Sequence, residues 1–330
     1  MAGTSVPFDP FVGDPNRWGV SLANTAELIL PCLDAAGARS VVEIGAFAGD
    51  LTRVLADWAA LTGARVQAID PAPREGLPAL ARERAELELI EATSLTALPH
   101  IPLPDAVIVD GDHNYYTVSE ELRLIGARAP GADLPLLLFH DVCWPHGRRD
   151  DYFAPERIPA EFRRVLAGDA GGIVPGDPGL RPDGLPYPRS AAREGGDRNG
   201  VLTAIEDFVA GREQLVLAVV PAFFGLGVVW HEGAPWAADV ARILEPLDRN
   251  PVLARLEANR VHHLVEAHAR LVALWGARER QARQEAVLRR LLQSSAFAVA
   301  ERLSRLRKRA GVAAGQPAVS KDEIRRALDG

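Results

Sequence analysis

Short apolar runs recur along the first two thirds of the chain, each followed by residues whose apolar positions fall at helical spacing. Val41–Ile44, Arg65–Ile69, Leu87–Ile90, Asp105–Val109 and Leu134–Phe139 read as strands of an α/β sheet. After a helix near 200–210, Leu215–Val220 and Gly225–Trp230 flank Pro221-Ala-Phe-Phe224, the pattern of an antiparallel hairpin. Ahead of the first strand lie a Pro/Asp/Gly-rich lead and a predicted helix over Ser21–Ala36, which together form a cap segment, 1–37. The sheet domain is expected over 38–236, interrupted by a Gly- and Pro-rich insert at about 142–198; loops of that length are lids, binding loops or disordered segments. From Ala237 to the end almost everything is helical, with Leu253, Leu256, Leu264, Leu271, Leu288, Leu291, Val299, Leu303 and Leu306 supplying apolar faces between arginines. This C-terminal helical arm, 237–330, either pairs two copies into a homodimer or folds back on the sheet domain.

One stretch narrows the ligand. In Val41-Val-Glu-Ile-Gly-Ala-Phe-Ala-Gly-Asp50 a strand carrying Glu43 meets Gly45 and Gly49 where a helix begins. Glycine permits positive φ and close backbone approach, and the free N–H groups of a helix start face such a pocket. A dinucleotide fingerprint would read Gly-x-Gly-x-x-Gly. Here the pattern is Glu-x-Gly-x-x-x-Gly, with an acid suited to a cationic amino-acid moiety, as in S-adenosylmethionine. The next strand ends on Asp70, at the distance of an acid that grips ribose hydroxyls.

These segments resemble the class I S-adenosylmethionine-dependent methyltransferases over about residues 38–231. The resemblance implies a doubly wound, Rossmann-like seven-stranded sheet with a reversed last strand. It also implies cofactor contacts from Glu43, Gly45, Ala46, Gly49, Asp70 and Asp110, with Thr93 and Ser94 beside the adenine, and a cap helix over the cleft that brings Trp18 or Asn24 near the ligand.

Composition sets limits. With 330 residues, 48% hydrophobic and 25% charged, the chain can bury a sizeable core. Net charge −7 argues against a nucleic-acid partner. Two cysteines, Cys32 and Cys143, cannot make a disulfide framework, and neither a leader nor a membrane-length apolar run is evident, so a cytoplasmic protein is expected.

The candidate chemistry lies in Val109-Asp-Gly-Asp-His-Asn-Tyr-Tyr116 and Phe139-His-Asp-Val-Cys-Trp-Pro-His146. In a doubly wound sheet these strand ends are neighbours, so Asp110, Asp112, His113, His140 and Asp141 converge on one point, enough oxygen and nitrogen for a divalent cation. The segments are similar to the metal-assisted O-methyltransferases of sugars and natural products, including the group called methyltransferase domain 24. The resemblance implies Asp110 and Asp141 as ligands of magnesium or manganese, with His140 standing where relatives carry an acid. That exchange favours Mn, Fe, Co or Zn over magnesium. Asp112 or His113 is then the general base. Tyr115, Tyr116, His146, Arg148, Arg149, Tyr152, Arg198 and Asn199 are candidates for a small-molecule or glycan acceptor rich in hydroxyls. A nicotinamide oxidoreductase and a non-catalytic scaffold are competing readings, ranked behind a metal-independent small-molecule methyltransferase. Titration with S-adenosylmethionine against NADH separates the first from the lead.

Overall fold

The computed structural model describes residues 19–311 and 320–329, so the expectations for Trp18 and the proline-rich lead lie outside the described residues. Two compact units divide the chain, one over 7–268 and a smaller one that includes 269–330.

The larger unit begins with a single turn, Leu22–Thr25, that leads into helix α1 (Ala26–Ala35). It continues as β1 (Ser40–Ile44), α2 (Asp50–Thr62), β2 (Arg65–Ile69), α3 (Gly76–Glu83), β3 (Leu87–Ile90), the short α4 (Ser94–Ala97), β4 (Ala106–Val109), α5 (Tyr115–Arg128) and β5 (Leu136–Phe139). After the insert come α6 (Val201–Ala210), β6 (Leu215–Val220), β7 (Leu226–His231), α7 (Ala237–Leu244) and the first part of α8 (Pro251–Gln293). The sheet order is β3-β2-β1-β4-β5-β7-β6, with β7 antiparallel to both neighbours. This is the expected seven-stranded α/β sheet with its reversed last strand.

Alternation along the strands explains the two helical layers. Val41, Val66, Ala68, Ile108, Leu136, Leu138 and Val228 face one core, which α1, α2, α3 and α7 cover. Their neighbours Val42, Ile44, Ile69, Val107, Val109, Leu137, Phe139 and Val229 face a second core beneath α4, α5 and α6. Successive side chains point to opposite faces, so a strand apolar at every position needs cover on both sides.

The register decides where the polar residues fall. Ile44 pairs with Val109 and Val109 with Phe139, so the next residues, Gly45, Asp110 and His140, stand side by side at the carboxyl edge. The ladder carries one bond further at each: Gly45 N donates to Ile69 O (2.8 Å), Asp110 N to Ile44 O (2.8 Å) and His140 N to Val109 O (3.0 Å).

The insert is ordered without long elements. Short bridges join Asp151 to Ser190, Leu166 to Ala191 and Ile173 to Leu185. A buried polar hub replaces secondary structure: Asp150 accepts from Tyr115 N, Gly200 N and the Tyr152 hydroxyl, while its own N–H donates to Asn199 Oδ1. Such satisfaction is what buried polar groups require.

The sequence boundary at 237 divides differently in space. Ala237, Val240 and Leu244 of α7 are buried in the first core, and Val261 and Leu264 of α8 sit in a third apolar cluster with Phe224. The smaller unit holds the rest of α8, then α9 (Ser295–Arg309) and α10 (Lys321–Asp329), where Leu271, Trp275, Leu291, Val299, Leu303 and Leu306 are exposed. No described helix is long and apolar enough to cross a membrane.

Candidate active site

A cleft of about 640 Å³ opens at the carboxyl edge of the sheet, and nearly all the glycine-loop and strand-end residues line it. At its floor Gly45 has φ +85, and a Cβ there would stand 2.1 Å from Asp110 O. The residue is therefore glycine for two independent reasons, conformation and the close pass of the β4 end. Gly49, also at φ +85, is the left-handed residue preceding α2. Between them Phe47 N donates to Asp70 Oδ2 (2.8 Å), and Asp70 Oδ1 accepts from Ala72 N (2.7 Å). Asp70 thus knits the glycine loop to the loop after β2, with lone pairs still facing the cleft. Arg74, whose guanidinium lies 4.8 Å over the Phe47 ring, lines the same end.

Glu43 is buried beneath this loop, and its Oε2 has no hydrogen-bond partner. Burial pushes its carboxyl up to about 8, with the charges of Asp110, Asp70 and Asp50 adding to the rise. An orphaned buried carboxyl oxygen at the floor of a cleft is a seat for a cationic or N–H donor. Thr93 and Ser94 line the cleft, as does the turn before α1 through Val20, Ser21 and Leu22. Asn24 does not; its amide donates to Ser21 O within that turn.

At the other end Asp110, His140 and Asp141 bring three ligand atoms within 4.8 Å of one another. His140 Nδ1 lies 3.0 Å from Asp110 Oδ1 and 3.5 Å from Asp141 Oδ2, and His113 Nε2 lies 3.2 Å from each of those two carboxylates. On its far side His140 Nε2 is 2.8 Å from Phe223 O. Only an N–H can meet a carbonyl oxygen, so Nδ1 is the nitrogen turned to the acids. Asp141 has φ +58, a left-handed conformation that aims its carboxylate back at the cluster. Burial disfavours charge on Asp110, His113 and His140, but attraction to the opposite charges beside them outweighs it. Asp110 is held down at about 2 by the two imidazoles, whereas His113 and His140 are raised to about 10 and about 9 by the carboxylates.

The donor set of two carboxylates and one oriented imidazole fits a divalent ion of the Mn, Fe, Co or Zn kind. His113, His146 and Asp151 form a second group of similar spacing. There the two imidazoles are stacked within 4° of parallel at 5.3 Å, and lone pairs in two stacked planes do not converge on one ion. Burial lowers the His146 pKa, and its Nδ1 has no partner.

The remaining candidates separate sharply. Asp112 Oδ2 accepts from Thr117 Oγ1 (2.9 Å) and Oδ1 from Phe153 N (2.8 Å), so this carboxylate ties the insert to α5. Tyr116 lines the cleft, while the Tyr115 hydroxyl donates to Asp207 (2.8 Å). Arg149 is fully buried, donating to Ala191 O (2.6 Å) and Pro178 O (3.1 Å). Tyr152 and Asn199 belong to the Asp150 hub, Arg148 pairs with Glu206 at 2.6 Å, and Arg198 lies over Phe162 at 5.5 Å. None of these five lines the cleft. From the insert and the β6–β7 turn the cleft is lined instead by Phe153, Ile158, Tyr187 and Phe224, with Arg157 and Asp151 as charged groups. The sequence reading selected none of these six. Their only sequence signal was membership of the long insert and of the Phe-Phe hairpin turn.

Residues 42–142 match the methyltransferase domain family. No curated protein matches the chain. Similar solved structures include the S-adenosylhomocysteine-bound Podospora anserina methyltransferase PaMTH1, at 16% identity over 66% of this chain and 82% of that one with TM-score 0.40. Another is a putative O-methyltransferase of Klebsiella pneumoniae, at 17% identity over 68% and 91%, TM-score 0.38. A third is TomG of Streptomyces achromogenes, in complex with S-adenosylmethionine, at 16% over 64% and 82%, TM-score 0.38. The stretch from β1 to the end of β5 is thus the part of the chain that matches a methyltransferase domain.

Proposed function

We propose that this methyltransferase acts on a hydroxyl of a sugar-bearing or related natural product, with a divalent cation at Asp110, His140 and Asp141. The observation that carries the reading is the meeting of those three ligand atoms within 4.8 Å in the cleft that also contains Glu43, Gly45 and Asp70.

Each side chain has a task. Glu43 receives the ammonium of the donor's amino-acid part, Gly45 and Ala46 let its sulfur end lie flat on the loop, and Asp70 takes ribose hydroxyls. Asp110, His140 and Asp141 would hold the ion, which would supply Lewis-acid lowering of the acceptor hydroxyl's pKa. His113 receives the hydroxyl proton on Nε2. Asp141 and Asp110 hold a proton on this ring in the metal-free cluster; with those carboxylates engaged by a cation, His113 would be the group left to act as base. The acceptor oxygen then forms its bond to the methyl carbon as the carbon–sulfur bond breaks, leaving a methyl ether, S-adenosylhomocysteine and a proton on His113. Alignment of this kind supplies on the order of 7–11 kcal/mol.

The acceptor wall of Phe153, Ile158, Tyr187 and Phe224 supports an amphipathic molecule, whose oxygens face the acids and whose apolar body or sugar face lies on the rings. Asp112 is a tether of the insert in this reading. A nicotinamide oxidoreductase is disfavoured by the Gly-x-x-x-Gly spacing after Glu43, which is not Gly-x-Gly-x-x-Gly, and by the methyltransferase domain match.

The deciding experiment is turnover with a panel of glycosylated acceptors, read by mass, with and without a chelator. The expected result is methyl-ether product that vanishes in chelator and returns with Mn²⁺, while S-adenosylhomocysteine still binds. Undiminished turnover in excess chelator removes the ion and leaves a metal-independent methyltransferase.

A further inference from the structure

The turn between β6 and β7 is built at a steric cost. Phe223 and Phe224 hold left-handed backbone at φ 52 and φ 66, ahead of Gly225 at φ 96. Bulky residues adopt that region only where their surroundings over-determine it. Those surroundings come from α8. Glu257 Oε2 accepts from Phe223 N (3.1 Å) and Oε1 from Phe224 N (2.8 Å). The carboxylate is buried and also bound by Arg260, through Nε (2.7 Å) and Nη2 (2.6 Å), and the same guanidinium lies 4.4 Å over the Phe224 ring. Two successive N–H groups converging on one anion fix a turn in both position and direction.

What the turn presents is a pair of carbonyls aimed at the end of β5. Phe223 O accepts from His140 Nε2 (2.8 Å) and Phe224 O from Cys143 N (2.7 Å). The pairing of β5 with β7 stops at Phe139 and Gly227, so beyond it His140 has no strand partner on that side. The turn supplies one. We infer that Glu257 is a positioning residue: it locks the Phe223–Phe224 turn, and the Phe223 carbonyl in turn fixes the imidazole of His140 with Nδ1 toward Asp110 and Asp141. A turn that served only to connect two strands would not need two left-handed phenylalanines over a buried carboxylate. The inference rests on the metal reading for its effect on ion binding, and on hydrogen bonding alone for its effect on the ring.

The test is Glu257→Gln, whose amide keeps one acceptor but turns a donor toward the other N–H. In ¹⁵N-labelled, metal-free protein the His140 Nε2–H signal is followed, assigned by its loss in His140→Gln. Wild type is expected to show a slowly exchanging, hydrogen-bonded proton, and Glu257→Gln to lose it. Mn²⁺ affinity is expected to fall about 10- to 100-fold, the usual effect of disturbing a ligand's outer partner, while S-adenosylhomocysteine affinity changes by less than about twofold. A folded Glu257→Gln protein that melts earlier yet keeps the His140 signal overturns the inference, since that is the mark of a purely structural salt bridge. If Glu257→Gln does not fold, Arg260→Gln, which leaves the carboxylate in place, takes over with the same direction expected and the same unchanged signal decisive against it. Failure of wild type to bind Mn²⁺ sinks the metal reading instead, and the His140 signal alone then decides this one.

Discussion

Glu43 shows how one residue couples the stability of this protein to its ligand. Its folded-state carboxyl lies near 8, above the ordinary value of 4.5, so the folded chain holds a proton that the unfolded chain releases. Its contribution to stability is complete below about 4.5 and is lost as pH rises through about 8. Glu43→Gln is therefore expected to raise the melting temperature of the ligand-free protein more at about pH 8 than at about pH 5, by scanning calorimetry, while weakening S-adenosylhomocysteine at least about tenfold. A cationic partner favours the ionised form of Glu43, so ligand binding near neutral pH is expected to release protons, read as a calorimetric heat that changes with the buffer's ionisation enthalpy. Heats independent of buffer would remove the ammonium from Glu43. At the other end, His113→Gln is expected to cut turnover by about 10²- to 10⁴-fold while donor binding is kept, the size of a lost general base. The places of these residues in the cleft were legible in the sequence: Gly45, Asp70, Asp110 and His140 follow directly on an apolar run whose end marks the edge of the sheet, Glu43 lies within such a run, and Asp141 and His113 come shortly after one.

Among the elements, the β1–β4 contact is the most exacting. Gly45→Ala forces a methyl group onto the Asp110 carbonyl. The expected outcome is a fall in melting temperature, together with loss of donor binding, measured on the same sample; an alanine variant that binds normally would mean the strand ends are free to separate. In the core, Leu138→Ala removes a fully buried side chain of β5 and is expected to cost about 2–5 kcal/mol in denaturant unfolding. The insert was harder to read. Arg149, Tyr152 and Asn199 looked like polar acceptor contacts, but a loop without regular structure has many buried backbone groups to satisfy, and these side chains bond to Ala191 O, Asp150 and Arg193 O instead. Asp112→Asn, which weakens the tie to Phe153, is expected to raise the acceptor KM with little change in donor affinity.

For the whole molecule, the compact unit that closes at His268 predicts that a chain ending there folds and binds S-adenosylhomocysteine like the full one. Sedimentation of the two forms tests the expected pairing of copies through Leu271, Trp275 and Leu291, all exposed: the full chain should associate and the shorter one should not. Equal masses would remove the arm from assembly.

Hydrophobic periodicity, the Glu-x-Gly-x-x-x-Gly spacing and the polar residues at strand ends determined the order of elements, the methyltransferase character and the residues at the sheet edge, since all of these are local properties that a few neighbouring side chains specify. The tertiary structure alone decided that Asp112 ties down the insert, that Phe153, Ile158 and Tyr187 line the cleft, and that Glu257 on α8 reaches the turn beside His140. Those roles depend on which distant atoms satisfy a buried polar group or close a cleft, and separation along the chain carries no record of such partners.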